Sequence, residues 1–283
     1  MSNDRPRIQH ETTGFLLVGH GTRSSVGQSQ LRVVHQQFAS NLSPQPTELG
    51  FLELAEPTIA EACARLARRG ATQMVAVPVL LFAAGHALHD IPQALEEASR
   101  RVGIRLLGQT SPLESHPSLV DLSARRFRQS ACLGSEGQLL CGQFCQRTHC
   151  PQVGLAMIGR GSQSPAATEK MKLFSQLRRE LTPVAWMNTG FVYAQSPTVD
   201  EVLDELAAAS LPLSIVQPHL LFEGDLLDSI RSKVEAFALK YPQSTWITAA
   251  PLGVDPSLAQ ALSQLALELE KSTTLPATNR IIE

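Results

Sequence analysis

Apolar and polar positions follow two different rhythms along this chain. Residues 15–18 form a short apolar run bounded by Gly14 and Gly19, the pattern of a strand buried on both faces. A polar, helix-compatible stretch follows at 28–39, then a second strand at 48–54. Residues 58–69 place Ile59, Ala62, Cys63 and Leu66 on one helical face, with Pro57 fitting the start and Gly70 the stop. The apolar run 74–82 predicts a third, deeply buried strand. A helix is expected at 91–102 with Pro92 in its first turn, then a strand at 104–107 and a helix at 117–128. Strands alternating with helices predict parallel sheets flanked by helices.

The same pattern occurs twice. GFLLVGHGT, from Gly14 to Thr22, reappears as GLAMIGRGS from Gly154 to Ser162, an offset of 140. That offset also relates Gly50-Phe51 to Gly190-Phe191, Pro57-Thr58 to Pro197-Thr198, and Pro78, Leu80, Leu81 and Phe82 to Pro218, Leu220, Leu221 and Phe222. Further on it falls to 139, relating Pro112-Leu113 to Pro251-Leu252 and Pro117-Ser118-Leu119 to Pro256-Ser257-Leu258. One residue is therefore missing from the second copy between Phe222 and Pro251. The predicted organisation is a tail at 1–13, a first copy at 14–129, a linker at 130–153, a second copy at 154–271 and a tail at 272–283. The linker is rich in Gly, Gln and Cys and has no periodicity.

Composition narrows the function classes. With 43% hydrophobic and 18% charged residues, the 283-residue chain can bury a large core. A formal net charge of −2 supplies no global field to draw it to nucleic acid or an anionic membrane. Residues 1–13 are polar and lack the apolar stretch of a signal peptide, and no apolar run approaches the roughly 20 residues that span a bilayer. Five unevenly spread cysteines do not make a disulfide framework, so the expected compartment is the cytoplasm.

In an open parallel sheet, ligands bind beyond the carboxyl ends of the strands. Three polar residues of the first copy fall there: His20 in Gly19-His20-Gly21, Glu53 near the end of the second strand, and His86 after the third. Two imidazoles and a carboxylate suit a borderline divalent metal such as Co²⁺ or Fe²⁺. The glycines beside both histidines let a flat, bulky ligand approach the backbone. Bland roles compete. A lone histidine in a glycine turn is more often a hydrogen-bonded loop residue, a strand-end Glu is usually solvated, Asp90 fits the N-cap of the helix at Ile91, and Glu56 fits a cap or solvent.

VGHGTR, GFLELAEPTI and VPVLLFAAGHALHDIP together resemble the three signature segments of the sirohydrochlorin cobaltochelatases and ferrochelatases. The match runs in order from about Gly14 to Leu119, and the second copy resembles the C-terminal half of the family's long form. The resemblance implies a class II chelatase fold: tandem duplicated flavodoxin-like halves, each a parallel sheet flanked by helices, facing each other across a cleft. It implies a catalytic first half in which His20 and His86 bind the metal and take up pyrrole protons, with Glu53 assisting. The metal is then a substrate, Co²⁺ or Fe²⁺, and no tightly bound cofactor is expected. The implied reaction is a lyase-type insertion into sirohydrochlorin, on the way to cobalamin or sirohaem. The expected partner is a small tetrapyrrole, neither nucleic acid nor membrane, and both monomer and homodimer stay open.

Carboxylate arms on such a substrate make Arg23 and Ser24, just after the GHG, reasonable anchors. In the second copy Arg160 replaces His20, Tyr193 replaces Glu53, and the third position is Asp225 or Leu226. That half reads as a degenerate wall of the cleft in which Arg160 either grips a substrate carboxylate or satisfies loop carbonyls. Cys132, Cys141, Cys145 and Cys150, with His149, crowd the linker at a spacing that fits no standard zinc or iron–sulfur pattern, which favours incidental thiols over a bound metal. Two other functions compete: a carrier that holds metal or tetrapyrrole without turnover, and a phosphate- or nucleotide-binding flavodoxin-like protein. The Gly19-His20-Gly21-Thr22 turn suggests the second but lacks the P-loop lysine.

Overall fold

The computed structural model describes residues 11–83, 87–132 and 150–274. The first copy runs β1 (Thr13–Gly19), α1 (Ser25–Asn41), β2 (Thr47–Phe51), α2 (Ile59–Arg68), β3 (Gln73–Pro78), α3 (Ala87–Val102), β4 (Arg105–Gln109) and α4 (Pro117–Cys132). The second repeats it as β5 (Cys150–Gly159), α5 (Pro165–Leu181), β6 (Val184–Phe191), α6 (Val199–Ala208), β7 (Leu213–Pro218), α7 (Asp225–Lys240), β8 (Thr245–Thr248) and α8 (Pro256–Thr274). All pairings are parallel, in the orders β2-β1-β3-β4 and β6-β5-β7-β8. The duplicated parallel halves are as the sequence predicts.

Strand periodicity decides which helix covers which face. On β1 and β3, Phe15, Leu17, Val75 and Val77 point to the inner face, packing with Leu31, Val34 and Phe38 of α1. Their neighbours Leu16, Val18, Met74 and Ala76 pack outward on α2 and α3. The second sheet does the same, with its outer face under α6 and α7. One inner cluster joins both sheets, so the halves share a core. The last helix of each copy crosses over: α8 packs on α1, β3 and β4, whereas α4 packs on β7 and α5.

Boundaries shift from the predicted ones for identifiable reasons. The third strand stops at Pro78, short of Phe82, because proline has no N–H to continue the ladder. Leu80 and Leu81 leave the sheet, and their carbonyls accept from the backbone N–H groups of Leu113 and Glu114. The helix expected from Ile91 begins at Ala87, so Asp90 lies in its first turn rather than at its N-cap. A carboxylate there still suits the positive end of the helix dipole. Thr58, not Pro57, caps α2, through a reciprocal capping box with Glu61. The linker predicted at 130–153 is trimmed at both ends, since α4 runs to Cys132 and β5 begins at Cys150. Cys141, Cys145 and His149 lie outside the described residues.

The missing residue of the second copy can be located. Gln73 pairs with Arg105 and Met74 with Leu106, but Val75 pairs with Gly108, so β4 carries a bulge at Leu107. β8 pairs with β7 from Thr245 to Thr248 without a break. Within the paired strands the offset is 140 before this bulge and 139 after it, whereas α3 and α7 begin at 87 and 225, an offset of 138 that the longer turn after α7 restores to 140.

Candidate active site

Both βα turns at the strand ends are built the same way. Leu52 and Glu53 donate their backbone N–H groups to the carbonyls of Gly19 and His20, tying the two first-copy turns together. Val192 and Tyr193 make the matching bonds to Gly159 and Arg160. Gly21 is required in this arrangement: its φ is +105°, and a Cβ there would lie 1.7 Å from the Glu53 carbonyl oxygen. Gly161 repeats the constraint, with φ +83° and a gap of 1.9 Å to the Tyr193 carbonyl.

This backbone carries different side chains in the two copies. In the first, His20 Nδ1 stands 3.5 Å from Glu53 Oε1, ion-pair distance but longer than a tight hydrogen bond. Both side chains are partly exposed. A carboxylate on Nδ1 favours the tautomer whose Nε2 accepts a proton or binds a metal. In the second copy the same positions hold exposed Arg160 and Tyr193. His86, which precedes α3 directly, lies outside the described residues. Its counterpart directly before α7 is Gly224, while Asp225 opens that helix. Among the described residues no three His, Cys, Asp or Glu side chains gather closely enough to hold a metal ion.

His20 and Arg160 line one cleft of about 450 Å³ between the halves. Its walls are matched apolar segments: Val79 to Phe82 from the first copy, Leu220 and Leu221 from the second, with Met171 and Phe191. A smaller hollow of about 350 Å³ beside it is lined by Arg160, Tyr193, Glu223 and Asp225, the mirror of the His20 site. There Arg231 holds Glu223 with two hydrogen bonds, at 2.7 and 3.0 Å.

Two predicted anchors land elsewhere. The Ser24 hydroxyl accepts from the Gly27 N–H and caps α1, and Arg23 is exposed on the same turn. Neither is among the residues lining the cleft. One lining residue escapes the sequence reading: His219, where the offset of 140 sets a histidine against Val79. That mismatch was its only signal.

The family model for CbiX matches residues 14–130 and again 154–269, both copies of the repeat. The chain belongs to the CbiX family. A sirohydrochlorin ferrochelatase of Priestia megaterium is 29% identical over 248 residues, covering 88% of this chain and 87% of that protein. A sirohydrochlorin cobaltochelatase of the same organism is 24% identical, covering 92% and 80%. The structure of SirB from Bacillus subtilis with Fe³⁺ superposes with a TM-score of 0.77 at 26% identity, over 91% of this chain and 95% of that one. CbiX membership accounts for the duplicated fold. Among the described residues, no helix is long and apolar enough to cross a membrane.

Proposed function

We propose that this chain inserts a divalent metal, Co²⁺ or Fe²⁺, into sirohydrochlorin. The observation that carries the reading is the His20–Glu53 pair at a cleft walled by the apolar segments of both copies. Family membership and the chelatase names of its relatives support it.

Metal insertion needs a flat binding slot, a donor that exchanges for metal-bound water, and an acceptor for two pyrrole protons. Leu80 and Leu81 face Leu220 and Leu221 in the same cleft, an apolar slot for a macrocycle. His20 supplies an imidazole able to bind the metal or take a proton. Glu53 orients that ring and stabilises the imidazolium. His86 is proposed as the second imidazole, four residues after Phe82 in the sequence. Arg160, on the opposite half, is proposed to grip a carboxylate arm. Arg23 and Ser24 are further proposed anchors, outside the lining of the cleft, with the Ser24 oxygen also capping α1. The reading places the reaction in the cytoplasm.

The test is anaerobic absorbance spectroscopy of sirohydrochlorin with Co²⁺ or Fe²⁺. Catalytic product formation is expected, and His20→Ala should lower it at least about a hundredfold with little change in stability. Arg160→Ala should raise KM for the tetrapyrrole more than it lowers kcat. Near-normal turnover in His20→Ala overturns the site, and stoichiometric binding without turnover makes the protein a carrier.

A further inference from the structure

His219 is the residue in the cleft that the chelatase reading leaves unused. It follows β7 directly, and its backbone N–H donates to the Ile158 carbonyl at 2.7 Å. Val79, at the matching place after β3, donates to the Val18 carbonyl at 2.8 Å. The backbone is the same in both copies, so the fold does not need a histidine there.

The ring is costly where it sits. It is 2% exposed, and among the described residues neither ring nitrogen has a hydrogen-bond partner. Its neighbours are aromatic: Phe174 of α5, with ring centroids 4.0 Å apart, and Phe82 of the first copy, at 5.5 Å. Burial pushes its pKa down to about 3, so the imidazole is neutral at physiological pH. A buried polar ring without partners destabilises the folded state unless something else bonds to it. Yet it lies in the wall of the same cleft as His20 and Arg160, with both ring nitrogens covered, so a ligand reaches them only when the aromatic side chains over the ring shift.

We propose that His219 contacts the substrate, giving the bound macrocycle a hydrogen bond from the second copy's wall that Val79 on the first cannot provide. The inference rests on the chelatase reading. The chemistry of the site selects the group it meets. A carboxylate arm buried here would face a neutral ring between two phenylalanines, an expensive place for a charge. An uncharged ring nitrogen or pyrrole N–H costs far less to desolvate, and a neutral imidazole offers one donor and one acceptor to match it. Charged arms are left to exposed Arg160. The two copies thus divide the work: His20 meets the macrocycle from a polar, partly exposed turn, and His219 from an apolar pocket in the cleft wall.

His219→Phe keeps the aromatic packing and removes both nitrogens. Metal-free sirohydrochlorin is titrated into the full-length protein, with binding read from tetrapyrrole fluorescence, beside steady-state kinetics and a thermal melt. The dissociation constant and KM for sirohydrochlorin should rise about tenfold, while KM for Co²⁺ stays within about threefold, as loss of one neutral hydrogen bond to the macrocycle implies. His219→Gln, which keeps a donor and an acceptor, should restore most of the binding. The melting temperature of His219→Phe should equal or exceed that of the original protein, because an unpartnered polar ring has been removed. Unchanged tetrapyrrole binding in His219→Phe overturns the inference alone, and a rise in KM for Co²⁺ instead of the tetrapyrrole overturns it in favour of a metal ligand. Failure of the unaltered protein to bind sirohydrochlorin overturns the chelatase reading and this inference together.

Discussion

Gly21 shows how one residue can carry a site without touching a substrate. The His20 turn and the Glu53 turn lie so close that a methyl group on Gly21 would overlap the Glu53 carbonyl. Relief would require the two turns to separate, taking His20 away from Glu53. Gly21→Ala combines that clash with a left-handed φ, and should cost about 2 kcal/mol or more of stability. Gly161→Ala meets the same constraint in the second copy and should cost a similar amount. The two variants should part company in activity. Gly21→Ala displaces His20 and lowers kcat, whereas Gly161→Ala displaces Arg160 and acts mainly on KM. Urea unfolding and initial rates measure both, and an intact kcat in Gly21→Ala would mean that the turn tolerates separation.

Helices are stopped and started by local chemistry, and here that chemistry is duplicated. Thr58 with Glu61 and Thr198 with Glu201 form the same capping box on α2 and α6. Ser24 and Ser164 cap α1 and α5 alike. The cap recurs in both copies, one with His20 and one with Arg160, so a helix role accounts for Ser24 without a ligand. Ser24→Ala should therefore lower stability by about 1 kcal/mol and leave KM for the tetrapyrrole within about twofold. Ser164→Ala should behave in the same way. A large rise in KM for Ser24→Ala alone would return Ser24 to the binding site.

The exchange of last helices makes the two halves one folding unit. α4 leaves the first copy to cover β7, where buried Gln217 donates to the Ser123 carbonyl and hydroxyl at 2.7 and 3.0 Å. At the start of α8, Asp255 accepts from Arg125 at 2.9 Å and from Ser257, and Arg126 donates to the Pro251 and Leu252 carbonyls. Burial raises the Asp255 pKa, but the Ser257 bonds and the Arg125 charge outweigh it, and the net shift is downward. A carboxyl with a depressed folded-state pKa contributes stability that is complete above its unfolded value, near 3.8, and is lost as pH falls further. Asp255→Asn should cost about 1 kcal/mol near pH 7, a modest figure because Arg125 is partly exposed. The gap between variant and original should close as acid is added below about pH 4. Chemical denaturation at pH 7 and in acid would measure it; a gap that persists in acid would assign the effect to packing instead of charge.

Periodicity and repetition determined a good deal by themselves. Short apolar runs between glycines give buried parallel strands, and a fixed offset of 140 gives two copies, because neither signal depends on distant contacts. His20 and Glu53 were legible for the same reason: strand ends in a parallel sheet are where side chains converge, and the two do meet at 3.5 Å. The cap formed by Ser24 was not, since an oxygen after a GHG turn suits a ligand and a helix cap equally well in sequence. The ends of elements shifted where one residue overrode the pattern, as Pro78 did by ending β3. Tertiary structure alone decided three things: the crossing of α4 and α8, the bulge at Leu107 that absorbs the change of offset, and the burial of His219 against Phe82 and Phe174. Each depends on contacts between residues far apart in the chain, which a local pattern of apolar and polar positions does not encode.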